Sequence, residues 1–400
     1  MKIILILLTI PFLALARYDE TLPKGVRLLA VRQVQSDRVD SFQNISGTKE
    51  NYSVDFKLDS QSLSEIDLVN EYILKDLKSN SVEAYDKLVA ANYRFDVKAK
   101  VNVTGFGFGY GITNRTTFYG VIPYYRANIN VTPVRTQGNN YNEVNEILKN
   151  SSNNNGVVLD MNSLPDADEG LIQSAVQNFY GYEALGEWQA SGLGDIELGV
   201  KHRYKVWRDG GALVSTGLSI PTGRLDNPDI IQDIGFGSGH WGVFIESGLG
   251  QSYKKNDFNF SARAHFSLPT EKELRPSSSN SDLTVEKNNY KINPGPKFTI
   301  SPSYSYHINS WWQIHSGIDY EIKLEDNYIS QVEYYDQKLE SISSWESTTL
   351  NVGIDFTTVK AYMNKEFQAP GSIGVNYKKV LAGRNIPNTT LFSAELRLFF

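Results

Sequence analysis

The sequence predicts an all-β fold, a transmembrane antiparallel up-and-down β-barrel of about 12 strands, with 10 and 14 as the alternatives. Three observations carry this. Apolar and polar residues alternate with period two in one segment after another, the pattern of strands with two different faces. The connections between those segments alternate between short and long. Downstream of residue 16 there is no run of about 18 apolar residues, so nothing there can cross a membrane as a helix.

The elements follow in order. Met1-Lys2, an apolar run from Ile3 to Leu13 and then Ala14-Leu15-Ala16 read as a secretory signal peptide over residues 1–16, cleaved after Ala16. Residues 17–400 are then the barrel. Segment one lies near Gly25–Gln35, followed by a long connection over about 36–92. Segment two, Phe95–Ile112, turns at Thr113-Asn114 into segment three, Thr116–Thr132. A second long connection spans about 134–191. Segments four (Asp195–Trp207) and five (Ala212–Ile220) meet at Arg208-Asp209-Gly210-Gly211. Six (Trp241–Tyr253) and seven (Phe258–Leu268) follow, then eight (Lys297–Ile308) and nine (Trp312–Leu324). Segments ten (Thr348–Phe356), eleven (Ile373–Leu381) and twelve (Leu391–Phe400) complete the row. The turn residues are those that hairpins require. If the row starts at the periplasmic side, every short turn falls there and every long loop outside, as in bacterial barrels. The connection Thr357–Gln368 is the exception, being long for a periplasmic turn.

Parity within segments separates two faces. In segment four Ile196, Leu198, Val200, Tyr204 and Val206 share one face with His202, while Asp195, Glu197, Lys201, Arg203 and Lys205 share the other. Charge on a lipid face is costly, so the charged parity is the lumen. The lumen-lining set is Arg126, Asp195, Glu197, Lys201, Arg203, Glu246, Arg263, His315, Asp319, Glu321, Asp355 and Arg397, joined by Lys323, Lys378 and Glu395. Two readings stay open: a transverse field that selects solutes by charge and size, or ion pairs that fill and block a narrow barrel. Segment two changes phase, with Val97, Ala99, Val101 and Val103 odd but Phe106, Phe108, Tyr110 and Ile112 even. One extra residue near Thr104-Gly105 would repair this, which predicts a β-bulge. Gly107, Gly109 and Gly111 then line the lumen and let something approach the wall closely. Trp188, Trp241 and Trp345 fall at the outer strand ends and Trp207, Trp311 and Trp312 at the inner, where lipid meets water.

Composition narrows the function classes. There is no cysteine, which excludes a disulfide framework, a thiolate metal site and a thiol nucleophile. The net charge of −6 falls by one if Lys2 is lost, and no basic block exists, so no nucleic-acid partner is expected. No cofactor is implied. The 23 tyrosines and 19 phenylalanines suit aromatic girdles.

The long loops carry helical periodicity: Leu63, Ile66, Leu68, Val69, Tyr72, Ile73 and Leu77 in one, Leu171, Ile172, Ala175, Val176 and Phe179 in the other. They are either lids over the mouth that capture an apolar ligand or segments that pack on one another and narrow the pore. Two chemical readings are weaker. His265 and Ser267 have the spacing of a Ser–His pair, but lumen parity is the wrong face for a lipid hydrolase. His265, His307 and His315 lie on neighbouring segments, but a metal site needs convergence and supporting partners. The chain is expected to have no catalytic residues and no metal ligands.

Five stretches resemble known proteins. The terminal run with Phe392, Leu396, Leu398 and Phe400 on one parity resembles the β-signal of bacterial outer-membrane barrels, which implies the barrel-assembly machinery as a partner. Gly192-Leu193-Gly194-Asp195-Ile196-Glu197-Leu198-Gly199-Val200-Lys201-His202-Arg203-Tyr204 resembles a motif of the outer-membrane transporters associated with the meta-pathway of phenol degradation. Leu218-Ser219-Ile220-Pro221-Thr222-Gly223 is similar to another stretch of that family, as are Leu22-Pro23-Lys24-Gly25 and Gly109–Arg115. The resemblance implies a channel in the bacterial outer membrane, with the lipid bilayer and a small solute, aromatic or hydrophobic, as partners. The alternative is a structural or adhesive barrel with a plugged lumen. The two long connections are larger than the family leads one to expect.

Overall fold

The computed structural model describes residues 19–64, 69–151, 160–164, 166–275 and 286–400. The proposed signal peptide, and Ile66 and Leu68 of the first loop, lie outside them. One antiparallel sheet of fourteen strands dominates, and twelve of these close into a barrel. In chain order the barrel strands are β1 (Arg27–Ser36), β2 (Val89–Thr113), β3 (Thr116–Gln137), β4 (Ile196–Trp207), β5 (Gly210–Ile220) and β6 (Gly242–Tyr253). They continue as β7 (Asn256–Ser267), β8 (Lys297–His307), β9 (Trp312–Lys323), β10 (Trp345–Thr357), β11 (Gly371–Arg384) and β12 (Thr390–Phe399). Each pairs with its sequence neighbour, and β1 pairs with both β2 and β12 to close the ring. At this seam Arg27 and Phe400 exchange backbone hydrogen bonds of 2.7 and 3.0 Å. Closure leaves the ring no unpaired edge.

All twelve expected strands form. The connection 358–370 is long because it holds the short helix Val359–Met363. The outer face is apolar around the ring: Leu29, Phe106, Ile112, Val200, Ile245, Phe260, Ile300, Ile318, Ile354, Val375, Phe392 and Leu396 are exposed. A water-soluble sheet would bury such residues; a continuous exposed belt is the lipid-facing surface of a membrane barrel. Phe392, Leu396, Leu398 and Phe400 all belong to it.

β2 and β3 are much longer than expected, at 25 and 22 residues. A tilted strand needs only about 9–11 residues to span, so this hairpin stands above the belt at the long-loop end. Two further strands cover it there: Ser53–Asp59 pairs with the top of β2, and Glu187–Leu193 pairs with β3. The second long loop is therefore shorter than 134–191 implies. The expected bulge at Thr104-Gly105 is absent, since register runs unbroken there against both neighbours. All odd residues from Tyr93 to Gly111 face inward. What changes at Thr104 is the surroundings. Below it the wall meets lipid outside; above it Lys98, Lys100 and Asn102 meet water outside, and Val97, Ala99, Val101 and Val103 meet a packed core inside.

That core is a cap at the long-loop end. Leu58, Leu74, Leu77, Leu88, Tyr141, Val144, Leu148, Met161 and Ile172 from the two long loops pack against the upper inner faces of β2 and β3. Helix Tyr141–Asn150 contributes Tyr141, Val144 and Leu148, the i, i+3, i+7 stripe of an amphipathic helix. Leu77, Ile172, Ala175 and Val176 are buried as their periodicity implies, whereas Tyr72, Leu171 and Phe179 are exposed. Two tryptophans also depart from expectation. Trp188 packs into the cap, and Trp345 is buried on inner parity, while Trp207, Trp241 and Trp312 are exposed at belt ends.

Candidate functional site

The lumen below the cap is lined by charge because period two allows no other place for it. Three paired groups form. On the β4–β7 side, Arg263 reaches across two strands to Glu197, 2.5 Å away, with Glu246 at 3.9 Å and its guanidinium stacked 3.9 Å over the Phe244 ring. Tyr119 lies beneath, bonded to Ser215 at 3.2 Å and donating to Glu197 at 3.3 Å, with Lys201 over its ring. On the β8–β11 side, Lys378 bonds Asp319 at 2.9 Å, and Ser301 donates to the same carboxylate. Glu321 and Lys297 share that inner face. Near the seam, Glu395 holds Arg397 at 2.8 Å and Arg32 at 3.3 Å, while His315 sits between Asp355 at 3.0 Å and Asn376 at 2.5 Å. The side chains of Arg263, Glu197, Lys378 and His315 each keep about a fifth or more of their surface exposed, so water reaches them.

Ten of the twelve expected lumen residues line the interior: Glu197, Lys201, Arg203, Glu246, Arg263, His315, Asp319, Glu321, Asp355 and Arg397. Two do not. Arg126 faces outward on β3, because it lies above the belt, where a charge on the outer parity meets water. Asp195 sits in the break between Leu193 and Ile196. It accepts from the Gly223 and Ser238 amides at 3.0 and 2.8 Å and from the Ser238 hydroxyl at 2.6 Å, pinning the loop 221–241 to the rim. Lys323 also stays at the rim, 2.5 Å from Asp326. Sequence reasoning missed Arg32 and Lys297, whose inward parity was available.

It also missed an occupant of the lumen. At the short-turn end, residues 19–24 fold back inside the ring. The Leu22 amide donates to the Thr117 hydroxyl at 2.8 Å, and the Lys24 amide to the Asn114 side chain at 2.9 Å. Asp19 is fully buried and pairs with Arg203 at 2.6 Å. Glycine in the wall makes room. A Cβ on Gly111 would lie 1.9 Å from the Pro23 carbonyl oxygen, and one on Gly109 would lie 3.0 Å from Leu22. The inward glycines of β2 therefore do admit a close approach, by the chain's own segment.

The cap is laced by ion pairs. Arg135 grips Asp166 with two bonds of 2.5 and 2.6 Å, and these, with Asn139, hold the Asp166 carboxyl below the usual range. Arg275 bonds Asp229 and the Tyr180 and Gly181 carbonyls, and Lys287 also bonds Asp229. Burial pushes the Asp229 carboxyl up, but its Lys287 and Arg275 bonds outweigh that and hold it below the usual range. Arg224 forks onto Asp233 at 2.5 and 2.7 Å and lies over the Trp188 ring.

The histidines go separate ways. His307 bonds Asp257 at 2.7 Å, His315 has the partners above, His265 lies on the inner wall against Gly242, and His202 faces out and bonds the Thr116 hydroxyl at 3.0 Å. Ser267 shares the inward parity of His265. Among the described residues no group of three His, Asp or Glu side chains is placed to hold a metal ion.

No family model matches the chain, and no curated protein matches it. Solved structures do. An outer membrane channel from Pseudomonas putida F1 superposes with a TM-score of 0.53 at 13% identity, over 97% of this chain and 100% of that one. A Pseudomonas aeruginosa FadL homologue gives a TM-score of 0.34 at 8% identity, over 94% and 90%. A TodX mutant, a monoaromatic hydrocarbon channel, gives 0.34 at 10% identity, over 94% and 91%. The last two similarities are too low to place the fold. The first shows that the chain has the fold of an outer-membrane channel.

Proposed function

We propose that the chain is a channel of the bacterial outer membrane that passes small solutes through its lumen by diffusion, with the cap as the gate at the extracellular end. The single observation that supports this best is the ring of water-reachable ion pairs inside a barrel whose outer face is a lipid belt. Twelve strands enclose more than the roughly eight whose side chains just fill a barrel. The fold shared with an outer membrane channel agrees. In this reading residues 1–16 direct export and the β12 strand addresses the assembly machinery. The solute is small, with aromatic or hydrophobic compounds favoured by the resemblance in the Gly192–Tyr204 stretch.

The dense packing of the cap and the segment inside the short-turn end favour a second reading, a plugged barrel whose loops bind a surface. Single-channel recording separates the two. The refolded chain is compared with a version in which residues 138–186 are replaced by a short linker. The channel reading expects small steps from the intact chain and larger ones from the shortened chain. Silence from both, with the barrel folded by circular dichroism, leaves the surface-binding reading standing.

A further inference from the structure

Immediately above the lipid belt, the outer wall carries three cations with no ion partner among the described residues: Lys98 and Lys100 on β2 and Arg126 on β3. Register brings them together. Lys100 faces Asn128, which faces Gln189; Asn102 faces Arg126, which faces Ser191; Lys98 faces Asn130, which faces Glu187. Lys100, Asn102, Arg126, Asn128, Gln189 and Ser191 line one groove of about 400 Å³. The Arg126 guanidinium lies 5.8 Å over the Tyr124 ring, which keeps it at the belt's edge. Two carboxylates border the groove, and both are engaged: Glu187 accepts from Asn128 and Gln189 at 3.1 and 2.9 Å, and Asp96 holds Arg94 at 2.8 Å.

Height fixes what these cations face. Ile112 ends the belt at the short-turn side. At about 3.3 Å per residue and a tilt near 40°, Lys100 lies about 30 Å higher. The apolar band of such barrels is about 25 Å tall, so the groove sits at the level of lipid headgroups. Three cations there, against the one bordering carboxylate held by amides, Glu187, leave a positive patch in a chain of net charge −6, which matches an anion with several acceptor oxygens.

The geometry points to a binding site for the phosphorylated headgroup of an outer-leaflet glycolipid, with Arg126 and Lys100 on the phosphate, Lys98 on a second anionic group, and Asn128 and Gln189 on the sugar. The site rests on the membrane orientation proposed above but not on conduction. The test uses the refolded full chain in micelles. Diphosphoryl lipid A, its dephosphorylated counterpart and inorganic phosphate are titrated, and retention is read by native mass spectrometry. The diphosphoryl form is expected to bind about ten-fold more tightly than the dephosphorylated one. The K98Q/K100Q/R126Q variant, which changes only exposed side chains, loses that preference while keeping the wild-type melting temperature. Equal retention by wild type and variant overturns the site. Displacement of the lipid by inorganic phosphate at matched concentration overturns the lipid assignment. A chain that binds the lipid yet carries no current supports the site while sinking the channel.

Discussion

Gly111 shows how one residue can carry a structural decision. Its inward face touches the Pro23 carbonyl, and no side chain fits between them. Gly111→Ala should therefore expel residues 19–24 from the lumen, since the alternative is to distort a strand paired on both sides. The local cost is about 1–3 kcal/mol, the range for overpacking. A cysteine at Leu22 should then react with a soluble maleimide far faster in G111A than in the Gly111 background. Equal rates would mean the segment does not rest on this wall. Sequence reasoning placed Gly107, Gly109 and Gly111 in the lumen from parity alone. It could not name the occupant, because nothing in Leu22-Pro23 marks it as folded back. Arg126 shows the opposite failure. Parity assigns a face, but the meaning of a face depends on height, and the belt ends at Thr104, two residues below Asn102, the Arg126 partner.

Among elements, the β2–β3 hairpin controls the most. Its phase change reads as a β-bulge in the sequence and is a change of medium along a ladder that is unbroken at Thr104-Gly105. The twelve barrel strands were legible, since closure demands period two around the ring, whereas the covering strands Ser53–Asp59 and Glu187–Leu193 were not. Strand length was not, because above the belt the inward residues are apolar and the outward ones polar, which a lipid-based reading treats as a slip. The cap built on this hairpin should be acid-sensitive. Arg135 and Asn139 hold Asp166 below the usual range, and Lys287 and Arg275 outweigh burial to hold Asp229 there. Carboxylates depressed by folding give stability that is fully present above their unfolded value, about 3.9, and lost as pH falls through the lower folded value. The cap should thus be intact at pH 5 and above and loosen below about pH 4. Amide protection factors for residues 141–150 should fall at pH 3 relative to pH 6, while those for 256–267 hold. Protection lost together in both, or in neither, would remove these pairs from the cap's stability.

Across the whole molecule, three media are sorted by one alternating pattern: lipid outside the belt, water and ion pairs inside it, and a packed apolar core beneath the cap. The lumen mixes both signs on opposite walls, so in the proposed channel selectivity depends on which pairs stay balanced. Lys378 neutralises Asp319 on the β8–β11 side, and Arg263 is shared by Glu197 and Glu246 on the other. Removing one charge from either set changes the net charge facing the water path by one. Lys378→Met should therefore make the lumen more cation-selective and Glu197→Gln more anion-selective. Reversal potentials in a potassium chloride gradient should move in opposite directions from the wild type. The position of the pairs adds a second expectation. Lys378 and Glu197 both sit below the cap, so replacing residues 138–186 should enlarge the current without abolishing either shift. If both substitutions move the potential the same way, the paired walls do not set the field along the path. If truncation erases the shifts, selectivity belongs to the cap.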